Sequence, residues 1–342
     1  MFAVQVVEYG HHPVVNEVPE PHIAGDDDVL VQVVGAGLCR TDIHAYEGLL
    51  RDVFPTPLPF TLGHEVAGTV VEVGPQVRAV SEGAPVIVHP LMTCGLCDAC
   101  RQGNDMFCAD STFMGLSADG GIAEIVRTKQ RCVVPLSPAT DPERIAPLAD
   151  AGLTAYHAIK AVLPRIDPTS VVVVVGAGGL GHLAVQMLKA MTPARVVAVD
   201  PSERARALAL EVGADAAVWE DRAEVVAELS RGAGAGVVLD FVGEGDAPAL
   251  ALPLLARGGS YRVIGYGGEV CVPTMSLVLQ EMEIRGNIVG SYRDLQELVA
   301  LYENGLVRCE STVYGLKDAL AGFDALEHGT LKGRAVVSPA HG

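Results

Sequence analysis

Five consecutive valines, Val171–Val175, run without a break into Gly176-Ala177-Gly178-Gly179-Leu180-Gly181, and no other stretch restricts the fold as tightly. An unbroken β-branched run fits a strand buried on both faces, as in a parallel sheet. The G-x-G-x-x-G that follows opens a helix expected over 180–191. A glycine-rich turn alone means little. Between strand and helix, its glycines permit a tight turn and bring backbone N–H groups close to a pyrophosphate. The next strand, Arg195–Val199, ends in Asp200, at the distance where a carboxylate takes a ribose 2′-hydroxyl and repels a 2′-phosphate. Pro201 follows, so no cation stands there to meet such a phosphate. NAD is therefore expected over NADP, with Arg204 and Arg206 on the next helix as the cations that count against it.

Strand and helix signals keep alternating, through 236–242, 261–265 and 284–289. That rhythm predicts a doubly wound parallel sheet of the Rossmann type, an α/β fold. Ligands bind at the C-terminal ends of such strands, which makes Phe241, Val242, Ile264 and Val289 candidate cofactor contacts. Packing alone also accounts for each apolar residue among them. A helix over 153–163 is expected to join this part to what precedes it.

The first part of the chain reads differently. Short runs such as Val29-Leu30-Val31-Gln32-Val33-Val34, separated by Gly and Pro, predict short strands of a β-rich, barrel-like region. Within it lie Cys39-Arg40-Thr41-Asp42-Ile43-His44 and Gly63-His64-Glu65, with Asp150 further on. A thiol, an imidazole and a carboxylate are groups that zinc accepts, and catalytic zinc keeps a fourth position open. Asp42 is placed to accept the other N–H of a metal-bound imidazole. Glu65, next to His64, is a carboxylate for the surroundings of the metal or a transient ligand. Taken singly, these residues have plainer readings: a buried thiol for Cys39, a cap for Thr41, a helix-face carboxylate for Asp42.

Cys94, Cys97, Cys100 and Cys108 follow C-x2-C-x2-C-x7-C. Four thiolates at such spacing close a tetrahedral shell, so structural zinc is the expectation, with disulfides or an iron–sulfur cluster as the alternatives. Cys132, Cys271 and Cys309 stand alone and read as buried or inert.

C-x-T-D-x-H, G-H-E and the four-cysteine segment, in this order, resemble the zinc-containing alcohol dehydrogenases of the medium-chain dehydrogenase/reductase superfamily, over nearly the whole chain. The resemblance implies a GroES-like catalytic domain carrying a structural zinc lobe, and one catalytic plus one structural Zn²⁺ per chain. It implies that Cys39 and His64 bind the catalytic zinc. Thr41 would hydrogen-bond the substrate oxygen, and His44 would relay the proton to solvent through the cofactor ribose. The third ligand of the best-known members is a Cys; here the position holds Asp150, as in bacterial secondary alcohol dehydrogenases. A helix cap is the other reading of Asp150, with Glu65 as the substitute ligand. Thr154 and Arg204 fall among the cofactor contacts. Arg334 matches a family arginine that meets the pyrophosphate, a solvated arginine being the alternative.

At 342 residues two domains are expected. Residues 1–150 and 289–342 form the catalytic domain, with the lobe at 94–108, and 151–288 form the NAD-binding domain. A net charge of −18 argues against a nucleic-acid partner. No run approaches the roughly 20 apolar residues of a membrane span, and the start Met1-Phe2-Ala3-Val4-Gln5 lacks a signal peptide's regions. A cytoplasmic enzyme without membrane partners is expected. It would interconvert primary or secondary alcohols with aldehydes or ketones, as a homodimer or homotetramer by resemblance. A polyol or threonine dehydrogenase is the nearest alternative, and a non-catalytic NAD-binding redox sensor the alternative of another class. Tyr46, Leu49, Phe113, Leu116 and Tyr292 are candidate pocket residues.

Overall fold

A computed structural model describes residues 1–341. The chain divides into two compact units. The first comprises Met1–Leu153, Gly290–Glu303 and the segment from Cys309 onward; the second comprises Thr154–Val289 and Asn304–Arg308.

The first unit is β-rich. Its main sheet has seven strands, organised on the long strand Asp28–Leu38, which pairs with Glu65–Val73, Ile125–Lys129 and Arg334–Ser338. All of these pairings are antiparallel. Register shifts between Leu30/Val31 and Val33/Gly35 interrupt the pairing with Glu65–Val73, and bulges of this kind bend and twist a sheet. The register sets Gly37 opposite Glu65. A Cβ on Gly37 would lie 1.9 Å from Glu65 Oε2, so only glycine leaves room for that carboxylate in the core.

Where the long strand ends, Cys39 caps the helix Arg40–Tyr46. Asp42, at the third helical position, accepts the Cys39 backbone N–H at 2.9 Å, satisfying an N–H that a helix start leaves open. The chain returns to this unit at Gly290. There His89 Nε2 lies 2.9 Å from the Gly290 carbonyl; the carbonyl can only accept, so the ring donates. Burial holds the His89 imidazole below its ordinary value.

The second unit is a six-stranded parallel sheet in the spatial order Ala216–Val218, Arg195–Val199, Val171–Val175, Ala235–Asp240, Leu255–Val263, Glu283–Gly286. Numbered along the chain this is 3-2-1-4-5-6, the doubly wound order that the βα rhythm predicts. Val172, Val173 and Val174 are completely buried; each contributes about 1.5–3 kcal/mol by leaving water.

Element ends differ from the sequence reading for local reasons. The helix expected over 153–163 is Ala151–Lys160, followed by a 3₁₀ turn Leu163–Arg165, because Pro164 cannot donate a helical N–H. The helix after the glycine turn starts at Gly181, with Leu180 as its cap. The strand expected to reach Val289 stops at Gly286, and Val289 sits at φ +45°, which a β-branched residue rarely adopts.

Candidate metal centres and cofactor turns

Three segments of the first unit converge on one buried point. Cys39 comes from the helix cap, His64 from the residue before the strand Glu65–Val73, and Asp150 from the link between the 3₁₀ turn Ala146–Ala149 and the helix Ala151–Lys160. One ligand atom from each of Cys39, His64, Glu65 and Asp150 lies within 4.8 Å of the others. His64 Nε2 is 3.6 Å from Asp150 Oδ2, and His64 Nδ1 is 3.3 Å from Asp42 Oδ1. The structure thus sets the carboxylate of Asp42 behind the imidazole and that of Asp150 in front of it.

The electrostatics of this point favour a cation. The His64 ring is completely buried, and neither of its nitrogens has a hydrogen-bond partner among the described residues. Leaving a buried polar atom unsatisfied costs about 1–3 kcal/mol. Burial alone would push the imidazole down, but Asp42 and Cys39 outweigh it and hold the ring well above its ordinary value. A thiol, an imidazole nitrogen and a carboxylate around this spot are a donor set that fits zinc, with room in a four-coordinate shell for one more oxygen.

Glu65 has another task. Its carboxylate accepts Arg334 Nη2 at 2.6 Å on both oxygens and the Ala151 backbone N–H at 3.1 Å. Arg334 also donates to the Leu38 carbonyl at 2.8 Å. Burial pushes the Glu65 carboxyl up to about 7 against the pull of Arg334. Removing one partner of such a buried pair costs about 3–5 kcal/mol. Arg334 is itself buried, so the solvated alternative for it does not hold, and its first bond is to the carboxylate beside the metal point.

The four lobe cysteines also converge, with all four sulfurs within 4.8 Å of one another. All eight cysteines of the chain are free, and the convergence of four of them on one point fits a structural zinc. Backbone N–H groups of Leu96 and Cys97 point at Cys94 Sγ from 3.5 and 3.4 Å, and they lower that thiol to about 6. Such bonds favour the thiolate that a metal requires. Asp105 fixes the lobe: it takes Arg131 Nη2 at 2.8 Å and the Tyr292 backbone N–H at 2.9 Å.

Aromatic residues close one side of the His64 ring. Phe113 meets it edge to face at 5.7 Å, and Phe54 meets Phe113 in the same way at 5.8 Å. Phe54, Leu50, Phe60, Tyr9 and Leu116 line a small cavity. Tyr46 and Tyr292 point elsewhere, their hydroxyls bonding Glu327 and the Val133 carbonyl, and Leu49 is exposed. Thr41 and His44 share the helix that Cys39 caps, His44 being buried.

In the second unit the glycine turn has the close approach expected of it. Gly176 is at φ +82°, and a Cβ on Gly181 would fall 1.9 Å from the Gly176 carbonyl oxygen. Asp200 is buried at the end of its strand, accepting Ala177 N and Ser202 N, both at 2.8 Å. Arg206 is bonded to the carbonyls of Asp200 and Pro201, each at 2.8 Å, and Arg204 is exposed. Phe241, Val242 and Ile264 lie just beyond strand ends, as placed from sequence. Thr154 lies in the helix Ala151–Lys160, where its carbonyl accepts Asn287 Nδ2 at 3.3 Å.

Sequence reasoning missed the Glu65–Arg334 pair and the organising role of Asp240. The signal for Asp240 was there: like Asp200, it is a carboxylate at the end of a buried strand.

Comparison with known proteins finds relatives along nearly the whole chain. Residues 25–138 match the model of the alcohol dehydrogenase GroES-like domain, and residues 179–304 that of the zinc-binding dehydrogenase family. An NAD-dependent alcohol dehydrogenase of Sulfolobus acidocaldarius is 33% identical, covering 92% of each chain. A D-arabinose 1-dehydrogenase (NADP(+)) of Saccharolobus solfataricus is 34% identical over 94% of this chain and 92% of its own. The crystal structure of an alcohol dehydrogenase from Aeropyrum pernix superposes with a TM-score of 0.96 at 42% identity, over 99% of this chain and 100% of that one.

Metal analysis by mass spectrometry is expected to find about two zinc ions per chain, one per donor cluster. Cys39→Ser is expected to lower this to about one while the fold persists, and Cys108→Ser to remove the other with a loss of thermal stability. An unchanged zinc content in Cys39→Ser would contradict the assignment of the first cluster.

Proposed function

We propose, because the chain belongs to the zinc-containing alcohol dehydrogenases of the medium-chain dehydrogenase/reductase superfamily, that it transfers hydride reversibly between a primary or secondary alcohol and NAD, giving an aldehyde or ketone. The observation that carries this is the convergence of Cys39, His64 and Asp150 in the first unit. Those three residues would hold the catalytic zinc, and Cys94, Cys97, Cys100 and Cys108 would hold the structural one. When bound, the catalytic zinc supplies Lewis acidity that makes an alcohol hydroxyl a stronger acid.

The chain's own residues do the rest. Asp42 orients His64 by facing its Nδ1 at 3.3 Å. Thr41 would take the proton of the alcohol hydroxyl while releasing its own toward His44, which would hand one on to solvent; both lie on the helix that Cys39 caps. Arg334 holds Glu65 beside the metal point and keeps a second carboxylate off the ion. Hydride chemistry belongs to the nicotinamide; the turn 176–181 would hold its carrier and Asp200 would take the ribose. The preference for NAD is supported by that buried carboxylate and by Arg206, which is committed to backbone carbonyls. Thr154, Arg204, Phe241, Val242, Ile264 and Val289 complete the proposed cofactor contacts.

The D-arabinose-oxidising relative favours one second reading, a sugar or polyol substrate. Phe113, Phe54 and Leu116 weigh against it, since polyol hydroxyls need polar partners that these side chains do not offer. A dimer or larger homo-oligomer is supported by the edge strand Glu283–Gly286, which pairs on one side only, and by the neighbouring helix Thr274–Gln280. That helix buries none of its residues, and Met275, Val278 and Leu279 are 64–72% exposed. A cytoplasmic setting is supported by the eight free thiols. No helix among the described residues is long and apolar enough to cross a membrane.

NADH formation on a panel of simple alcohols, polyols, D-arabinose and threonine tests the reaction. Turnover on aliphatic or aromatic alcohols is expected, with Thr41→Val lowering kcat about 10²–10⁴-fold; turnover confined to sugars would replace this reading by the second. Light scattering is expected to give a mass at least twice the 35.7 kDa of one chain, falling on introduction of Val278→Asp; a 35.7 kDa species in the parent protein would sink the edge-strand proposal.

A further inference from the structure

Asp240 ends the fourth strand of the parallel sheet, next to the strand Val171–Val175. The order 3-2-1-4-5-6 reverses between these two strands, and in doubly wound sheets the cofactor lies at that reversal. Asp240 is completely buried, and its carboxylate is used in full. Oδ1 accepts the backbone N–H groups of Val242 and Gly243, both at 2.9 Å. Oδ2 accepts the hydroxyl of Tyr261, also completely buried, from the neighbouring strand Leu255–Val263. The Asp240 backbone carbonyl takes the N–H groups of Ile264 at 2.8 Å and Gly265 at 3.0 Å. One residue therefore binds the turns that follow two adjacent strands.

Those turns touch each other and the glycine turn. A Cβ on Gly243 would fall 2.0 Å from the Gly265 carbonyl oxygen, and one on Gly265 would fall 2.2 Å from the Val242 carbonyl oxygen. A Cβ on Gly176 would fall 2.7 Å from Val242 Cγ2. With backbone packed this closely, a shift in 241–243 moves both the turn at 264–265 and the mouth of the phosphate-binding turn.

We infer that Asp240, locked by Tyr261, is a positioning residue for the cofactor: it holds the backbone of Phe241–Gly243 and Ile264–Gly265 in the shape that receives the dinucleotide. This rests on the NAD-dependent reading above. Asp240 itself touches neither alcohol nor zinc in this account, so its loss falls on cofactor affinity and not on the metal.

The test is NADH binding to the zinc-loaded protein by fluorescence titration, alongside KM for NAD⁺ and kcat with an alcohol. Asp240→Ala is expected to raise the NADH Kd and the NAD⁺ KM about tenfold or more, from the loss of two backbone hydrogen bonds. Zinc content is expected to stay at the parent value and kcat to change less than KM. Asp240→Asn keeps an oxygen for both N–H groups and can donate to the Tyr261 oxygen, so it is expected to restore most of the affinity. Tyr261→Phe is expected to weaken NADH about threefold. A parent protein that binds no NADH overturns the NAD reading itself. A parent that binds, with Asp240→Ala within twofold of it, overturns the inference alone. So does Asp240→Ala weakening kcat and zinc content in step with affinity, which is the pattern of general unfolding. If Asp240→Ala does not fold, Tyr261→Phe decides: NADH affinity equal to the parent's contradicts the inference.

Discussion

The structure depends most on unbalanced charge in a place without water. Cys39, Asp42, Glu65 and Asp150 can each carry a negative charge, all are at least nine-tenths buried, and all crowd around His64. Arg334 answers one of them, Glu65. Anions taken out of water cost several kcal/mol apiece, and a cation seated among these groups offsets that cost. A divalent metal with affinity for sulfur, nitrogen and oxygen answers that need. The unit around it is built to keep the geometry: Gly37 makes space for Glu65, Asp42 both closes the cap at Cys39 and stands behind His64, and Arg334 keeps Glu65 engaged.

The second unit solves a different problem, binding an anionic cofactor with backbone. Its valine strand is buried on both faces, so the turn after it has fixed walls and presents N–H groups and not side chains. Two buried aspartates finish the task at the ends of the two strands that flank the valine strand. Asp200 organises the turn toward Ala177 and Ser202, and Asp240 organises the turns at 241–243 and 264–265. In a protein carrying −18 overall, both carboxylates are engaged by backbone N–H groups and a hydroxyl, one of those N–H groups belonging to Ala177 of the glycine turn itself.

Much of this was legible from local pattern. The valine run, the glycine turn and the four-cysteine spacing each encode their structure within a few residues, and the structure brings together each group they define. The boundaries that went astray depended on neighbours: Pro164 ended a helix early, and a strand stopped at Gly286, short of Val289 with its positive φ. Contacts between distant residues left no such trace. Glu65 and Arg334 are 269 positions apart, and nothing in the spacing of Arg334 reports that it lies against a carboxylate beside the metal point. The third donor, Asp150, follows a short 3₁₀ turn, a context that reads equally as a helix cap until the chain is folded. Phe113 likewise gave no sign that its edge would meet His64, because the strand pair carrying it is only two residues long on each side.

The central claim is that Cys39, His64 and Asp150 grip one metal ion and leave it a vacant corner. Anomalous diffraction on either side of the zinc absorption edge, from crystals of the protein as purified, reads this directly. Two peaks per chain are expected, one among the four lobe sulfurs and one bounded by Cys39 Sγ, a His64 nitrogen and an Asp150 oxygen, with no fourth protein ligand. A single peak confined to the lobe, or a second peak held by Glu65 with Asp150 turned away, would contradict it.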